Sequence, residues 1–228
     1  MPSQAFQSLT EALAEIPELS GIGTLLARAD RAQALRRLRV IGRGQVVLLS
    51  SHFERYIYAV NEEAVAALNV GAIASVRVPG QIKLLHSSQP VDDLALTQWN
   101  NRSDSLVRFA ETDGWLWQDT GVGIINHERL LAWMKAPHAK SLVRFYKLWN
   151  IDDIFSSVTR TKINRTRLYY GIQQLVDKRN SIAHGDYNAQ ATRLDVLRYV
   201  KSVKDFSSRA DRVLARAVGR IQGGPPPW

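Results

Sequence analysis

The segment from about Lys162 to Ile221 constrains the fold more than any other part of the chain. Between about Lys162 and Ala183, Leu168, Ile172, Leu175 and Val176 recur at helical spacing. From about Ala191 to Ile221, Val196, Val200, Val203, Phe206, Ala210, Val213 and Ala217 form a second stripe. Two long helices with one apolar face each must bury those faces against other helices, which predicts an all-α bundle. In the second helix Arg209, Arg212, Arg216 and Arg220 occupy another face. Such a ridge suits either a phosphate backbone or plain solvation.

Earlier segments continue the helical pattern. Phe6, Leu9, Leu13 and Ile16 predict a helix over 4–16, and Leu25, Leu26, Ala32, Leu35 and Leu38 another over 24–38. A longer one is expected from about Gly44 to Leu68, carrying Val47, Leu48, Phe53, Tyr56, Ile57, Val60, Ala64 and Leu68. Residues 71–90 break the period. Ala74 to Val78 alternates and Pro79-Gly80 suits a turn, so a small hairpin or an extended loop is expected there. Helices are expected again near 91–111, 127–135 and 138–149. Trp99, Trp115, Trp117, Trp133 and Trp149 fall in this middle third and read as core or inter-helix packing. The closing Gly-Gly-Pro-Pro-Pro-Trp cannot be helical and is expected to be a loose tail.

The chain has no cysteine, which removes disulfides, thiol nucleophiles, Cys-ligated zinc and iron–sulfur clusters. No stretch approaches the roughly 20 apolar residues of a membrane span. The opening Met-Pro-Ser-Gln-Ala-Phe-Gln lacks the basic and apolar regions of a signal peptide. A cytoplasmic protein is expected. The net charge of +9 is unevenly placed: residues 1–159 hold 16 basic and 16 acidic side chains, residues 160–228 hold 14 and 5. A local positive field of this kind favours polyanions, nucleic acid among them.

Chemistry is concentrated at the end of the penultimate helix. Arg179 lies eleven positions after Leu168, close to three turns, and so falls on the apolar stripe. A cation there needs a partner or a polar cleft. Asn180, Ser181, Ile182, Ala183, His184, Gly185 and Asp186 follow. Gly185 is placed to end the helix, and His184 would sit at its negative dipole end. Five positions on an ideal helix lie about 140° apart. Arg179 and His184 therefore share a cleft only if the helix ends between them or a second chain completes the site. A buried Arg ion pair beside a capping His is the plainer structural reading.

The string Leu175-Val176-Asp177-Lys178-Arg179-Asn180-Ser181-Ile182-Ala183-His184-Gly185 resembles the signature of HEPN domains, an all-helical superfamily rich in RNA-cleaving toxins and defence effectors. Arg179, Asn180 and His184 fit its Arg, polar, then His pattern. The Ile-Ala and Gly around His184 resemble the bacterial RiboL-PSP branch, and Ser51-His52-Phe53-Glu54-Arg55-Tyr56 resembles that branch's first core helix. The resemblance covers about 160–187 with an echo at 51–70.

It implies a HEPN-like antiparallel helical bundle over 41–221, with an N-terminal helical extension at 1–40 and a tail at 222–228. It further implies a metal-independent endoribonuclease with no cofactor, a homodimer with two motifs in one groove, and RNA as partner. The proposed chemistry is attack of the RNA 2′-hydroxyl on its own phosphate. Arg179, His184 and Asn180 would be catalytic, and Lys178, Asp186 and Tyr187 would touch substrate. No His-Glu-x-x-His and no acidic triad occurs. His52, His86, His127 and His138 are scattered and read as structural or surface residues. Glu54 is a candidate partner for Arg179.

An antitoxin or regulatory protein is a possible second partner. Toxins of the superfamily that are silenced by nucleotidyltransferases often carry Tyr two residues after the His; Asp186 stands there instead, with Tyr187 one further on. Two roles are open to Asp186: capping the chain turn, or pairing with Arg179 or His184. Two other readings of the whole are a non-catalytic module that binds RNA or a protein, and a helical DNA-binding regulator, although no helix-turn-helix spacing stands out.

Overall fold

Three long helices set the frame: α3 (Ala34–Asn69), α9 (Lys162–Ala183) and α10 (Arg193–Gln222). The computed structural model describes the whole chain, Met1–Trp228. α9 and α10 run antiparallel: Arg167 meets Asp205, and Gly171 closes on Ser202. α10 runs parallel to α3, since Gly42 lies against Ala191, the Tyr56 hydroxyl donates to the Ser207 carbonyl, and the Gln222 amide donates to the Ala67 carbonyl. α9 is thus antiparallel to both.

The stripes read from sequence do face this core. Leu168, Ile172, Leu175 and Val176 of α9 are buried, as are Val196, Val203, Phe206, Ala210, Leu214 and Val218 of α10. An aromatic knot ties the layers: Phe206 packs on Phe53 of α3, on Tyr146 of α7 (Ala139–Lys147) and on Phe155 of α8 (Ile154–Val158), with ring centroids 5.3–6.2 Å apart.

The first helical segment and α3 differ from the spacing-based bounds. α1 spans Gln4–Ala12, α2 spans Glu15–Ala29, and a single 3-10 turn at Arg31–Gln33 leads into α3. α3 passes unbroken through Gly42 and Gly44. Gly42 is required there because the Ala191 carbonyl oxygen lies 2.6 Å from where a Cβ would stand. Ala5, Leu9, Leu13 and Ile16 belong to the same core cluster as α3 and α10. The closing residues lie against α10: the Pro225 carbonyl is 2.8 Å from the Cβ position of Gly219, and Trp228 packs on the core.

The segment 71–90 forms no local hairpin. Gly71 and Ala72, at φ 86° and 55°, reverse the chain after α3. β1 (Ile73–Ala74) then pairs antiparallel with the distant β2 (Val122–Gly123), in register Ile73↔Gly123 and Ala74↔Val122. Pro79 precedes α4 (Gly80–Leu96) instead of turning a strand, because its fixed φ of −54° also suits a helix entry. The helix expected over 91–111 is broken at 97–101, and α5 (Arg102–Thr112) starts afresh. Of the middle tryptophans, Trp149 is fully buried and Trp115 and Trp133 pack on the core. Trp99 and Trp117 do not: they are 79% and 56% exposed, since the turns that carry them form the rim of the α4–α5 unit. A short α6 (His127–Leu131) closes that unit. No helix is long and apolar enough to cross a membrane.

Candidate active site

α9 stops where Gly185 allows it to. Gly185 has φ 82°, its N–H bonds the Ile182 carbonyl, and the Asp186 N–H bonds the Ser181 carbonyl at 3.0 Å. This pair of bonds is the Schellman arrangement, which satisfies the last carbonyls of a helix. His184 is the cap residue, at φ −80° and ψ 8°, and its side chain is exposed.

Arg179 is not sealed inside. The stripe carries it to the rim of the bundle, where its side chain keeps 35% of its exposure. There its guanidinium stands 3.9 Å from the Glu54 carboxylate of α3 and donates to the Asn180 side-chain oxygen at 3.1 Å. The partner needed by an inward cation is thus supplied from a neighbouring helix. Asn180 touches Arg179 through its side chain and His184 only through the backbone. It lies four positions before His184, hence on the same helix face, and its carbonyl accepts the His184 N–H at 2.9 Å. α9 runs on to Ala183, so the 140° offset between Arg179 and His184 stands within one chain: the guanidinium reaches Asn180 and Glu54, and the His184 ring bonds to none of them.

The other expected contact residues spread around this end. Lys178 is half-buried on the α10 side, where its charge helps to hold the Asp195 carboxyl below its ordinary value, after the larger effect of the Thr192 hydroxyl. Asp186 pairs with neither Arg179 nor His184. Its carboxylate accepts the Asn188 N–H at 2.8 Å, the capping alternative, because the turn at Gly185 points it along the loop. Tyr187 is 87% exposed.

Sequence reasoning passed over two residues that shape this surface and read a third, His138, as structural or surface. Arg43 of α3 donates to the Asp186 carbonyl at 2.9 Å and stands over the Tyr187 ring, 5.7 Å from its centre. It thereby fixes the loop after the motif onto α3. Tyr58, one turn beyond Glu54, donates to the Met134 carbonyl at 2.9 Å; burial and the Glu54 charge raise its pKa. His138, ahead of α7, faces α9: Gln173 lies 3.3 Å from its Nδ1 and Asp177 lies 3.7 Å away. Periodicity held a signal for the first: Arg43 and Glu54 are eleven apart, three turns along one face of α3.

Chemically, the end of α9 offers an exposed imidazole, a fork of guanidinium donors braced by a carboxylate, and an amide between them. Such a set can move a proton and steady an oxyanion. A family model described as RiboL-PSP-HEPN matches residues 11–216. No curated protein and no solved structure matches the chain.

Proposed function

The chain belongs to the RiboL-PSP-HEPN family, and we propose that it is an endoribonuclease that cleaves RNA without a metal ion. The observation that carries this reading is one solvent-facing helix end that presents an exposed His184 and, a turn earlier, Arg179 held by Asn180 and Glu54. In the reaction the 2′-oxygen attacks its own phosphorus and the bond from phosphorus to the 5′-oxygen breaks. A base takes the 2′-hydroxyl proton and an acid gives one to the departing 5′-oxygen. The products are a 2′,3′-cyclic phosphate and a 5′-hydroxyl. His184 is the proton carrier. Arg179 offers paired donors to the phosphorane, whose charge grows in the transition state. Asn180 orients the arginine or holds a phosphate oxygen, while Lys178 and Tyr187 contact the strand and Asp186 shapes the loop.

One imidazole cannot be base and acid in the same step, so two copies of the chain bring two His184 rings to one groove. A dimer face is available beside the motif. Val40, Val47 and Tyr58 lie on the face of α3 that carries Arg43 and Glu54, and they are 63%, 39% and 40% exposed. An RNA-cleaving dimer of this kind acts in the cytoplasm as a toxin or as an antiphage or stress effector, held in check by an antitoxin or regulatory protein.

End-labelled RNA incubated with the wild type and with His184→Ala in excess EDTA tests the reading. Wild type should yield fragments ending in 2′,3′-cyclic phosphate, and the variant should leave the RNA whole. RNA that stays intact with both proteins, or is cut equally by both, removes the proposal.

A further inference from the structure

Arg209, Arg212, Arg216 and Arg220 find no carboxylate in the folded chain, although other arginines do. Arg212 and Arg216 spend only their Nε–H groups, on the Ser208 and Arg212 carbonyls at 3.3 and 3.2 Å. Their forked terminal nitrogens remain free. Arg209 makes one bond, to the Val158 carbonyl at 3.4 Å. Arg209, Arg212 and Arg216 wall an open groove of about 1030 Å³, with Phe6 and Trp228 in its lining. The one acidic side chain there, Asp211, is 1% exposed, accepts both the N–H and the hydroxyl of Ser3, and is pushed up in pKa by burial. It does not cancel the outward field.

The same face of α10 continues toward the motif. Arg198 and Lys201 border a second groove, about 340 Å³, between α9 and α10, opposite Arg167 and the 56% exposed Tyr170. Both carboxylates on this side are engaged: Asp195 by Thr192 and Arg198, and Asp205 by Arg167. From Arg198 to Arg220 the helix rises about 33 Å, with cations about every 4–6 Å of the Arg209–Arg220 run. Because α9 is antiparallel to α10, the upper end of this line opens beside Lys178 and the end of α9.

We infer that the outer face of α10 is a track for a single strand of RNA, leading from the groove at Arg209–Arg216 to the motif at Arg179 and His184. This rests on RNA being the substrate. Free guanidinium forks in a regular line suit a repeating phosphate backbone better than the scattered carboxylates of a folded protein. Tyr170, 56% exposed, supplies a face on which a base can stack. At about 3.4 Å per stacked nucleotide, the line accommodates about ten nucleotides.

The test uses Arg212→Gln/Arg216→Gln, both at exposed positions, with an unchanged melting temperature as the folding control. In the His184→Ala background, which leaves RNA uncut, the pair of changes should weaken binding of an RNA of about 30 nucleotides by about 10-fold. The slope of log affinity against log salt should become shallower by about 1.4, the share of two phosphates on a single strand. With His184 present, an RNA of about four nucleotides should be cut at the wild-type rate, since it spans only the motif. Unchanged affinity and slope for the long RNA overturn the track while leaving the nuclease reading intact. Equal loss on the short RNA also overturns it, because the arginines would then act on the motif itself. Weakened binding by a protein that never cuts RNA supports the track and sinks the nuclease reading.

Discussion

The Glu54 carboxylate of α3 lies 3.9 Å from the Arg179 guanidinium of α9, and both side chains keep about a third of their exposure. At that exposure an ion pair is worth only about 0–1 kcal/mol of stability. Its value is positional: it decides where the guanidinium sits when a phosphate arrives. Glu54→Ala is therefore expected to leave the melting temperature within about 3 °C of wild type while lowering RNA cleavage by about 10- to 100-fold. Glu54→Gln, which keeps the shape and can still accept a hydrogen bond, should recover part of the rate. A large drop in melting temperature with full activity would contradict a positioning role.

Arg179 and His184 should differ in kind. Removing a donor that acts on developing charge costs about 10²–10³ in turnover, and removing a proton carrier costs about 10²–10⁴. Each alanine variant alone should be nearly inactive but folded, because neither side chain fills the core. If two chains form one groove that uses both His184 rings, adding His184→Ala protein to wild type should lower cleavage more steeply than dilution alone, since a mixed dimer keeps only one ring. Sedimentation of the wild type should show a dimer at micromolar concentration; a monomer with full activity would rule out the shared groove.

Much of this was legible in the sequence. The stripe from Leu168 to Val176 fixed the inner face of α9, and Gly185 marked its end, because both depend on local chemistry. What was not legible depended on distance. No local rule couples Ile73 to Gly123, so the strand pairing could not be read, and Pro79 serves a helix entry as well as a turn. The demand of Arg179 for a partner was legible from its place on the stripe, but periodicity gives a face and not how near that face runs to the edge of the bundle. Arg43 was missed because its partner, the Asp186 carbonyl, lies far away in the chain.

A buried pair outside the site sets a pH response. His86 of α4 is 3% exposed; its Nδ1 lies 2.6 Å from Asp113, and its Nε2 accepts the Asn126 N–H at 2.9 Å. Protonation at Nε2 would break that last bond. Arg129 already neutralises Asp113 at 2.8 Å. Burial accordingly lowers the imidazole pKa, against the pull of Asp113. In the unfolded chain the ring takes a proton near its ordinary 6.5. Below that pH the unfolded state binds more protons than the folded one, so stability falls with falling pH until the folded pKa is passed. The slope contributed is at most about 1.4 kcal/mol per pH unit. Denaturant melts of wild type should lose stability between pH 7 and 5. His86→Asn should start lower at pH 7 but lose less across the same interval; parallel losses in both proteins would clear His86.

The geometry of the motif also depends on how closely α9 and α10 approach, and one position sets that distance. A Cβ on Gly171 would stand 2.8 Å from the Ser202 Cβ, which is anchored to the backbone and cannot swing away. Gly171→Ala must therefore push the helices apart, although alanine is the better helix former by about 1 kcal/mol. Overpacking of this kind costs about 1–3 kcal/mol, so the net expectation is a loss of stability of up to about 2 kcal/mol. Ser202→Gly in the same chain removes the obstructing Cβ, and the double variant should regain most of the loss, beyond the sum of the two single changes. Cleavage should follow the same course if the α9–α10 spacing governs how Lys178 and the end of α9 meet the strand. An additive double variant would show that the two helices close on something other than this glycine.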